Sequence, residues 1–227
     1  MSMPRVCIID YGMGNLGSVQ AALRFLGNEA IISSLPDDVR SADAVVLPGV
    51  GAFAEAMENL RRLELDKVLG EEVMEKGKPF LGICLGMQLI GCGSEELGLT
   101  KGLQWISADV IPLVNVGVGR VPHVGWGETV HAKGEALFNN IQDGTCFYYD
   151  HSFAMLSADV DAVATCDYGT RFVAALRHRN ILATQFHPEK SQRAGLKLLR
   201  NFLDLAAGHP AGPADGVDKG GPCRRND

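Results

Sequence analysis

The sequence predicts an α/β fold with a mostly parallel twisted sheet, helices on both faces, and antiparallel additions in the second half. Through the first half, strand-like apolar runs alternate with helical patterns, which is typical of a parallel sheet covered by helices. Strand-like runs dominate the second half. The chain has 227 residues, of which 46% are hydrophobic, enough for one large domain with a full core.

The first half supplies the parallel strands and their helices. Apolar side chains at helical spacing predict a helix over residues 15–26. Residues 53–76 predict a long, interrupted helical segment that ends at Gly77, a residue suited to a helix C-terminus. The predicted strands are residues 6–9, 30–33, 44–47 and 80–83.

The second half supplies the antiparallel additions. Its strand-like runs are residues 103–113, 119–130, 145–153, 162–166, 172–177 and 181–186. Arg179 and Asn180 predict a hairpin turn between the last two runs. Ser191 is the predicted N-cap of a closing helix, so we expect one domain over residues 1–207. Residues 208–227 are rich in Gly, Pro and polar side chains and are predicted to be a disordered tail.

Composition narrows the class of protein. Lys and Arg total 21 against 27 Asp and Glu, a net charge of −6 that argues against general binding to nucleic acid or anionic membranes. No run approaches the roughly 20 apolar residues of a membrane helix, and no signal peptide is apparent, so we expect a cytoplasmic protein. Six scattered cysteines lack metal-ligand spacing, so we expect neither a metal nor a cofactor.

Cys84 lies at the centre of a small-x-nucleophile-x-small pattern at residues 82–86, between a predicted strand and a helical run. This pattern is typical of a nucleophile elbow, and glycines on both sides permit its strained turn. The helix that follows directs free N–H groups and a positive dipole end at the cysteine. These groups favour the thiolate and a developing oxyanion, so Cys84 is the candidate nucleophile.

His187 and Glu189 follow a predicted strand and flank Pro188. Alternate residues in an extended chain point the same way, so the imidazole and the carboxylate can be neighbours. Alone, such a pair is more often structural. With the elbow it completes a nucleophile, a base and an orienting group suited to acyl transfer. His123 and His151, each in a segment with buried-strand character, are predicted to be structural or to support the site.

Residues 48–52 contain two glycines and follow the third predicted strand. Loops at the carboxyl ends of strands line the site of a doubly wound sheet, so this loop and the elbow are expected to face one crevice. N–H groups of Leu85 and of Val50 and Gly51 could then form an oxyanion hole. An ordinary glycine turn is the alternative.

Residues 12–17 match the G-x-G-x-x-G pattern of dinucleotide-binding loops. That interpretation also requires an acidic residue at the end of the second strand, but the first acids, Asp37 and Asp38, come only after Pro36. Dinucleotide binding is therefore disfavoured. A tight turn into a helix, or a loop facing a partner or the mouth of the active site, remains open.

Several segments together resemble the class I, triad-type glutamine amidotransferases, and among them the glutaminase subunits of imidazole glycerol phosphate synthase. The elbow indicates only the superfamily, whereas residues 10–15 (Asp-Tyr-Gly-Met-Gly-Asn) and 122–126 (Pro-His-Val-Gly-Trp) narrow the resemblance. It implies the class I glutamine amidotransferase fold over residues 1–207. The segments that carry it are residues 9–16, 47–53, 82–88, 121–126 and 184–191.

The resemblance implies glutaminase chemistry. Cys84 would attack the side-chain amide of glutamine, His187 would move protons, and Glu189 would hold the imidazole. Backbone N–H groups near Val50 and Gly51 and at Leu85 would stabilise the oxyanion. The residues expected to contact glutamine are Gln88, His151, Ser152 and Phe153.

The resemblance also implies a heterodimer. Ammonia would pass to a (β/α)8-barrel cyclase subunit that makes imidazole glycerol phosphate and an aminoimidazole carboxamide ribotide in histidine biosynthesis. Gly49 and Gly51 would let the loop at residues 48–52 rearrange when the partner is loaded. The positions expected at the partner-facing surface are Asn15, Trp126, Tyr148 and Lys190.

Two positions depart from the family. Gly127 stands where Asn is common, and Asp150 stands where an apolar residue is common. Paralogous amidotransferases that supply ammonia to another acceptor, and free-standing Cys-His-Glu hydrolases, are the alternative functions.

Overall fold

A computed structural model describes residues 3–116, 120–156 and 162–208. Among these residues, nine strands form one sheet in the order β2-β1-β3-β4-β13-β12-β11-β8-β9. Four short strands, β5 (Gly93–Ser94), β6 (Thr100–Lys101), β7 (Asp109–Pro112) and β10 (Phe153–Met155), form a smaller sheet in the order β10-β7-β5-β6. The strands of the large sheet are β1 (Val6–Ile9), β2 (Ile31–Ser33), β3 (Ala44–Gly49), β4 (Phe80–Cys84), β8 (His123–His131), β9 (Thr145–His151), β11 (Ala162–Asp167), β12 (Arg171–His178) and β13 (Ile181–Thr184).

The predicted division into a parallel and an antiparallel half is confirmed. β2, β1, β3, β4 and β13 pair in parallel. β12, β11, β8 and β9 extend the sheet in antiparallel fashion. The predicted hairpin turn joins β12 to β13, and Arg179 takes a positive φ of 55° in it.

Helices cover both faces of the parallel half. The α-helices are α1 (Leu16–Phe25), α2 (Pro36–Ser41), α3 (Phe53–Arg62), α4 (Leu65–Leu69), α5 (Leu85–Leu89) and α6 (Gln192–Gly208). A π-helical segment, Gly70–Glu75, continues α4, and Gly77 follows with a φ of 72°, so the interrupted helical segment and its glycine end are confirmed. Within the described ranges, no helix is both long enough and apolar enough to cross a membrane.

Successive side chains along each strand point to opposite faces of the sheet, so the molecule has two hydrophobic cores. Val6 and Ile8 of β1 point to the face that α1 and α6 cover. Cys7 and Ile9 point to the opposite face, which α3 and α4 cover. A strand that is buried on both faces needs apolar side chains at every position, which is why residues 6–9 form a continuous apolar run.

Several sequence-based predictions in the middle of the chain are wrong in detail. The run at residues 145–153 divides, because β9 lies in the large sheet whereas β10 (Phe153–Met155) pairs with β7 (Asp109–Pro112) in the small one. Only the last part of the run at 103–113 is a strand, because the backbone N–H of Leu103 donates to Leu89 at the end of α5 and that of Trp105 donates to Ile90, the next residue. The small sheet also contains the unpredicted short strands β5 (Gly93–Ser94) and β6 (Thr100–Lys101).

Ser191 occupies the predicted N-cap position of the closing helix, but its side chain does not cap that helix. Ser191 precedes α6, and its carbonyl accepts the N–H of Gly195, but its hydroxyl donates to the His187 carbonyl and accepts the N–H of Tyr148. The side chain therefore ties β9 to the segment that holds His187 instead of capping the helix. α6 ends at Gly208, and the predicted tail from residue 209 onward lies outside the described residues.

The packing of α6 gives a test of this architecture. A Cβ at Gly195 would overlap the carbonyl oxygen of Pro188, whereas a Cβ at Gly17, in α1, would meet nothing within 4 Å. Gly195→Ala should lower the free energy of unfolding in urea by roughly 1–3 kcal/mol. The matched Gly17→Ala should raise it by up to about 1 kcal/mol, because alanine favours a helix over glycine. Equal effects of the two changes would contradict the described packing.

Candidate active site

One pocket collects most of the predicted site residues. It lies where β3 and β4 end, beside the junction of β9 and β10, and encloses about 270 Å³. That is just below the range of roughly 300–1,000 Å³ for drug-sized ligands, so it suits a small one. The predicted residues in its wall are Val50, Gly51, Cys84, Leu85, Gln88, His151, Ser152 and Phe153.

Cys84 has the strained backbone of a nucleophile elbow. It ends β4, precedes α5 and has φ 54° and ψ −107°, in a region that residues with side chains rarely occupy. The turn is tightly packed, because a Cβ at Gly86 would overlap the Leu47 carbonyl and one at Gly82 would lie 2.9 Å from the Gly86 carbonyl. Both glycines of the motif are therefore required by close backbone contact.

His187 and Glu189 form a buried pair. His187 Nδ1 lies 2.7 Å from Glu189 Oε1, and each side chain is only 2% exposed. His187 Nε2 has no nitrogen or oxygen partner among the described residues, which leaves it to the Cys84 sulfur, the other group that interacts with this imidazole. Burial lowers the pKa of His187, but the Cys84 sulfur and the Glu189 carboxylate outweigh burial and raise it overall. This imidazole is therefore disposed to hold a proton beside the sulfur.

The Cys84 sulfur has two further polar neighbours. It lies 3.7 Å from the backbone carbonyl of Asp150, to which a thiol can donate. The Gln185 side-chain amide donates to it from 3.6 Å. The structure thus places an acceptor and a donor against the same sulfur atom.

The loop after β3 faces Cys84, as predicted. The Tyr11 hydroxyl donates to the Pro48 carbonyl at 2.9 Å and holds the loop from beneath. Gly49 leaves no room for a Cβ, which would overlap that hydroxyl. Gly51 has a φ of +108° and, with Val50, lines the pocket. Leu85, whose N–H lacks an acceptor within its own helix, lines it from the other side.

The G-x-G-x-x-G loop packs against this same segment. Gly12 and Gly14 take positive φ values of 86° and 128°. A Cβ at Gly51 would lie 2.6 Å from the Met13 methyl group, so the two loops are in contact. The carboxyl of Asp38, one of the two acids after Pro36, is hydrogen-bonded to the Ser33 hydroxyl. This arrangement favours the alternative in which the loop faces the mouth of the active site.

The segment at residues 151–153 is held by a pair of buried histidines. His151 Nδ1 lies 2.8 Å from the Phe153 carbonyl and must donate to it, so His151 Nε2 accepts from His123 Nδ1 at 3.1 Å. The His123 ring is stacked on those of Tyr149 and Tyr168. Burial lowers the pKa of each histidine to about 4, so both are neutral at pH 7. The prediction that His123 is structural or supports the site agrees with this arrangement.

Three of the four residues predicted to face a partner lie close together. The rings of Trp126 on β8 and Tyr148 on β9 meet edge to face at 6.0 Å, and Trp126 is half exposed. Lys190 Nζ lies 5.4 Å from the centre of the Tyr148 ring and 3.8 Å from the Asp150 carboxylate. Asn15 lies apart from these rings at the N-cap of α1, a helix that packs against the turn containing Lys190.

Close packing explains the glycine at position 127, where the sequence departs from the family pattern. A Cβ there would lie 2.9 Å from the Tyr149 ring and 3.1 Å from the Cys166 sulfur. The Tyr149 hydroxyl is hydrogen-bonded to Thr129 at 2.7 Å. The glycine therefore leaves the space that the buried tyrosine fills.

Sequence reasoning missed two side chains at the site. Glu96 lines the pocket, and its carboxylate accepts the Phe53 N–H at 2.8 Å at the start of α3. Local sequence does not distinguish it from the adjacent Glu95, because only the small sheet turns it inward. Gln185 lies in the segment at residues 184–191 that carries the family resemblance, but its contact with Cys84 depends on the pairing of β13 with β4. Elsewhere in the described ranges, no cluster of three or more His, Cys, Asp or Glu side chains could hold a metal ion.

The buried histidines predict acid lability. Because burial lowers their pKa to about 4 from 6.5, the unfolded chain binds protons between these pH values that the folded chain does not. The free energy of unfolding should fall as the pH drops through this window, by on the order of 1 kcal/mol per pH unit for a histidine. His187, with a raised pKa, is protonated in both states there.

Urea unfolding at pH 7 and at pH 5 measures the effect. His123→Phe keeps an aromatic ring beside Tyr149 and Tyr168 but removes one titrating group, so its unfolding free energy should depend less on pH. A pH dependence equal to that of the wild type would contradict the assignment.

Comparisons with known proteins agree with the fold. The glutamine amidotransferase class-I family model matches residues 7–206. Imidazole glycerol phosphate synthase subunit HisH 2 of Vibrio vulnificus (strain YJ016) is 47% identical over 201 residues, which are 88% of this chain and 94% of that protein. Imidazole glycerol phosphate synthase subunit HisH of Aquifex aeolicus (strain VF5) is 46% identical over 200 residues, 87% of this chain and 95% of that protein.

Solved structures share the architecture. One described as a glutamine amidotransferase superposes with a TM-score of 0.70 at 20% identity and covers 89% of this chain and 98% of its own. PurLQS from Thermotoga maritima gives a TM-score of 0.69 at 19% identity, with 90% and 99% covered. At such identities the likeness concerns the fold alone.

The elbow geometry and the family match over residues 7–206 together establish that the chain belongs to the class-I glutamine amidotransferase family.

Proposed function

We propose that this protein is the glutaminase subunit of an imidazole glycerol phosphate synthase, which hydrolyses glutamine and passes the ammonia to a (β/α)8-barrel cyclase subunit in histidine biosynthesis. The observation that carries the proposal is Cys84, at a strained elbow in a pocket of about 270 Å³, beside the buried His187–Glu189 pair. The relatives named as HisH subunits of that synthase support the same function.

The pocket offers groups that can recognise parts of glutamine. The Glu96 carboxylate is suited to the substrate's α-ammonium group, and small residues around Gly51 let backbone N–H groups approach the ligand. Gln88 and the segment at residues 151–153 close the other sides. Both ring nitrogens of neutral His151 are hydrogen-bonded, one to His123 and one to the Phe153 carbonyl. His151 therefore forms part of the pocket wall, and proton transfer is left to His187.

The chemistry follows from the triad. His187 takes the Cys84 proton, and the sulfur attacks the side-chain amide carbon of glutamine. N–H groups of Leu85 and of the segment at Val50 and Gly51 stabilise the tetrahedral oxyanion. His187 returns its proton to the nitrogen as the C–N bond breaks, which releases ammonia and leaves a glutamyl thioester. Water, deprotonated by His187, then hydrolyses the thioester to glutamate.

Glu189 keeps His187 in the orientation that this cycle needs. Its carboxylate fixes Nδ1 as the protonated nitrogen and so directs Nε2 to accept and return the proton. The unpartnered Nε2 has no competing hydrogen bond to break. The carboxylate also stabilises the imidazolium that forms with each proton transfer.

Substitution of Cys84 and His187 tests the chemistry. Cys84→Ala and His187→Ala should each lower kcat for glutamine hydrolysis about a thousandfold or more, and the double variant should lose little further, because the residues act as a unit. Cys146→Ala is the matched control, since that free thiol is exposed and outside the pocket. Glutamate released by purified Cys84→Ala at the wild-type rate would overturn the nucleophile assignment.

The partner-facing surface is tested separately. Trp126→Ala should weaken binding of the barrel subunit by about tenfold or more, because half-exposed aromatic side chains often anchor interfaces. The control is Phe25→Ala, an exposed aromatic at the far end of α1. Titration calorimetry with the purified cyclase gives both affinities, and equal affinities would remove Trp126 from the interface.

Turnover of the isolated chain separates this function from its alternatives. Low glutaminase activity that rises when the loaded cyclase binds is expected for a coupled subunit. High activity without any partner would indicate a free-standing hydrolase, and activation by a different acceptor enzyme would indicate a paralogous amidotransferase.

A further inference from the structure

A chain of buried amides ends at the Cys84 sulfur. Gln88 Nε2 donates to the Phe153 carbonyl at 2.9 Å and lies 3.1 Å from Gln185 Oε1. Gln185 Nε2 in turn lies 3.6 Å from Cys84 Sγ. Gln185 has no exposed surface and does not line the pocket, so it touches the sulfur from behind, away from the substrate.

The orientation of both amides follows from hydrogen-bond chemistry. A backbone carbonyl only accepts, so the Gln88 atom beside the Phe153 carbonyl must be its NH₂ group. That group only donates, so the Gln185 atom facing it must be the carbonyl oxygen. The remaining Gln185 atom, which faces Cys84, is therefore a donor. The Gln185 backbone is fixed as well, since its N–H donates to the Ala174 carbonyl at 2.8 Å.

We propose that Gln185 is a further catalytic residue, which donates a hydrogen bond to the Cys84 thiolate and stabilises it for attack. This inference rests on the proposed function, because it concerns the same nucleophile. The Asp150 carbonyl can only accept from a thiol, so its contact with the sulfur is lost on deprotonation. The Gln185 N–H can donate to the thiol and to the thiolate, and its bond to the thiolate is the stronger because hydrogen bonds to charged groups are stronger than those to neutral groups.

The arrangement also explains why a glutamine is buried there. An amide without partners in a core would be costly, but Gln185 has a partner at its oxygen, its side-chain nitrogen and its backbone N–H. The donor is pre-aimed, so no reorganisation is needed when the negative charge forms.

Alkylation of Cys84 measures the thiolate without any glutamine turnover. The rate of modification by iodoacetamide is followed by peptide mass spectrometry of the Cys84 peptide across a pH series, in the full-length protein. Gln185→Met preserves length and apolar packing but removes the donor. Its alkylation profile should move to higher pH by about one unit, which is about a tenfold loss of reactive thiolate at neutral pH.

Steady-state kinetics supply a second readout. Gln185→Met should lower kcat for glutamine about tenfold or more and change KM less, because the side chain itself does not line the pocket and reaches it only through Gln88. Asn28→Leu is the matched control. It removes another buried amide, one that donates to the Pro4 carbonyl at 2.8 Å in the turn after α1, and it should leave the alkylation profile and kcat unchanged.

A second variant keeps the test decisive if Gln185→Met does not fold. Gln185→Leu also lacks the donor and places a smaller apolar side chain in the same core position, so a shift of the alkylation profile in the same direction is expected. A folded variant at position 185 with a wild-type alkylation profile overturns the proposal. If instead Cys84 alkylation shifts as expected while wild-type protein hydrolyses no glutamine even with the loaded cyclase bound, the glutaminase assignment fails and the role of Gln185 at the thiol remains.

Discussion

The contact between the turn at Cys84 and the end of β3 is the constraint on which the site depends. Gly86 lies so close to the Leu47 carbonyl that no side chain fits between them, and Gly49 has the same relation to the Tyr11 hydroxyl. The parallel pairing of β3 with β4 places Gly49 beside Cys84. The strained φ of Cys84 is therefore held by two neighbouring strands, so the elbow cannot relax without separating them.

This constraint also brings the other reacting groups together. β13 pairs with β4 on its opposite side, so the segment that follows β13 carries Gln185 and His187 past the sulfur. Ser191 then fastens that segment to β9 through bonds to the His187 carbonyl and the Tyr148 N–H. Three adjacent strands and one serine thus bring the nucleophile, its base and its donor together, although about a hundred residues of sequence separate them.

The sequence predicted the parts of the site that depend on local pattern. The apolar runs located β1, β3 and β4, and the glycines at 82 and 86 indicated the elbow, because close packing there leaves no alternative residue. Prediction was poorest at residues 93–113 and at Ser152, where the chain passes between two sheets. Glu96 and Gln185 escaped because their roles come from strand pairing and loop position, which leave no periodic signal.

The two polar neighbours of Cys84 suggest where control of the reaction would act. The Asp150 carbonyl can bond only to the thiol, whereas the Gln185 amide can bond to the thiolate as well. Any movement that withdraws the carbonyl removes a contact peculiar to the uncharged form and leaves the anion-stabilising donor in place. Asp150 lies between Tyr148 and His151, and its carboxylate faces Lys190 on the partner-facing side. A partner that engages Lys190 or Trp126 would therefore act on the strand pair that carries this carbonyl, and could change which of the two polar contacts the sulfur keeps.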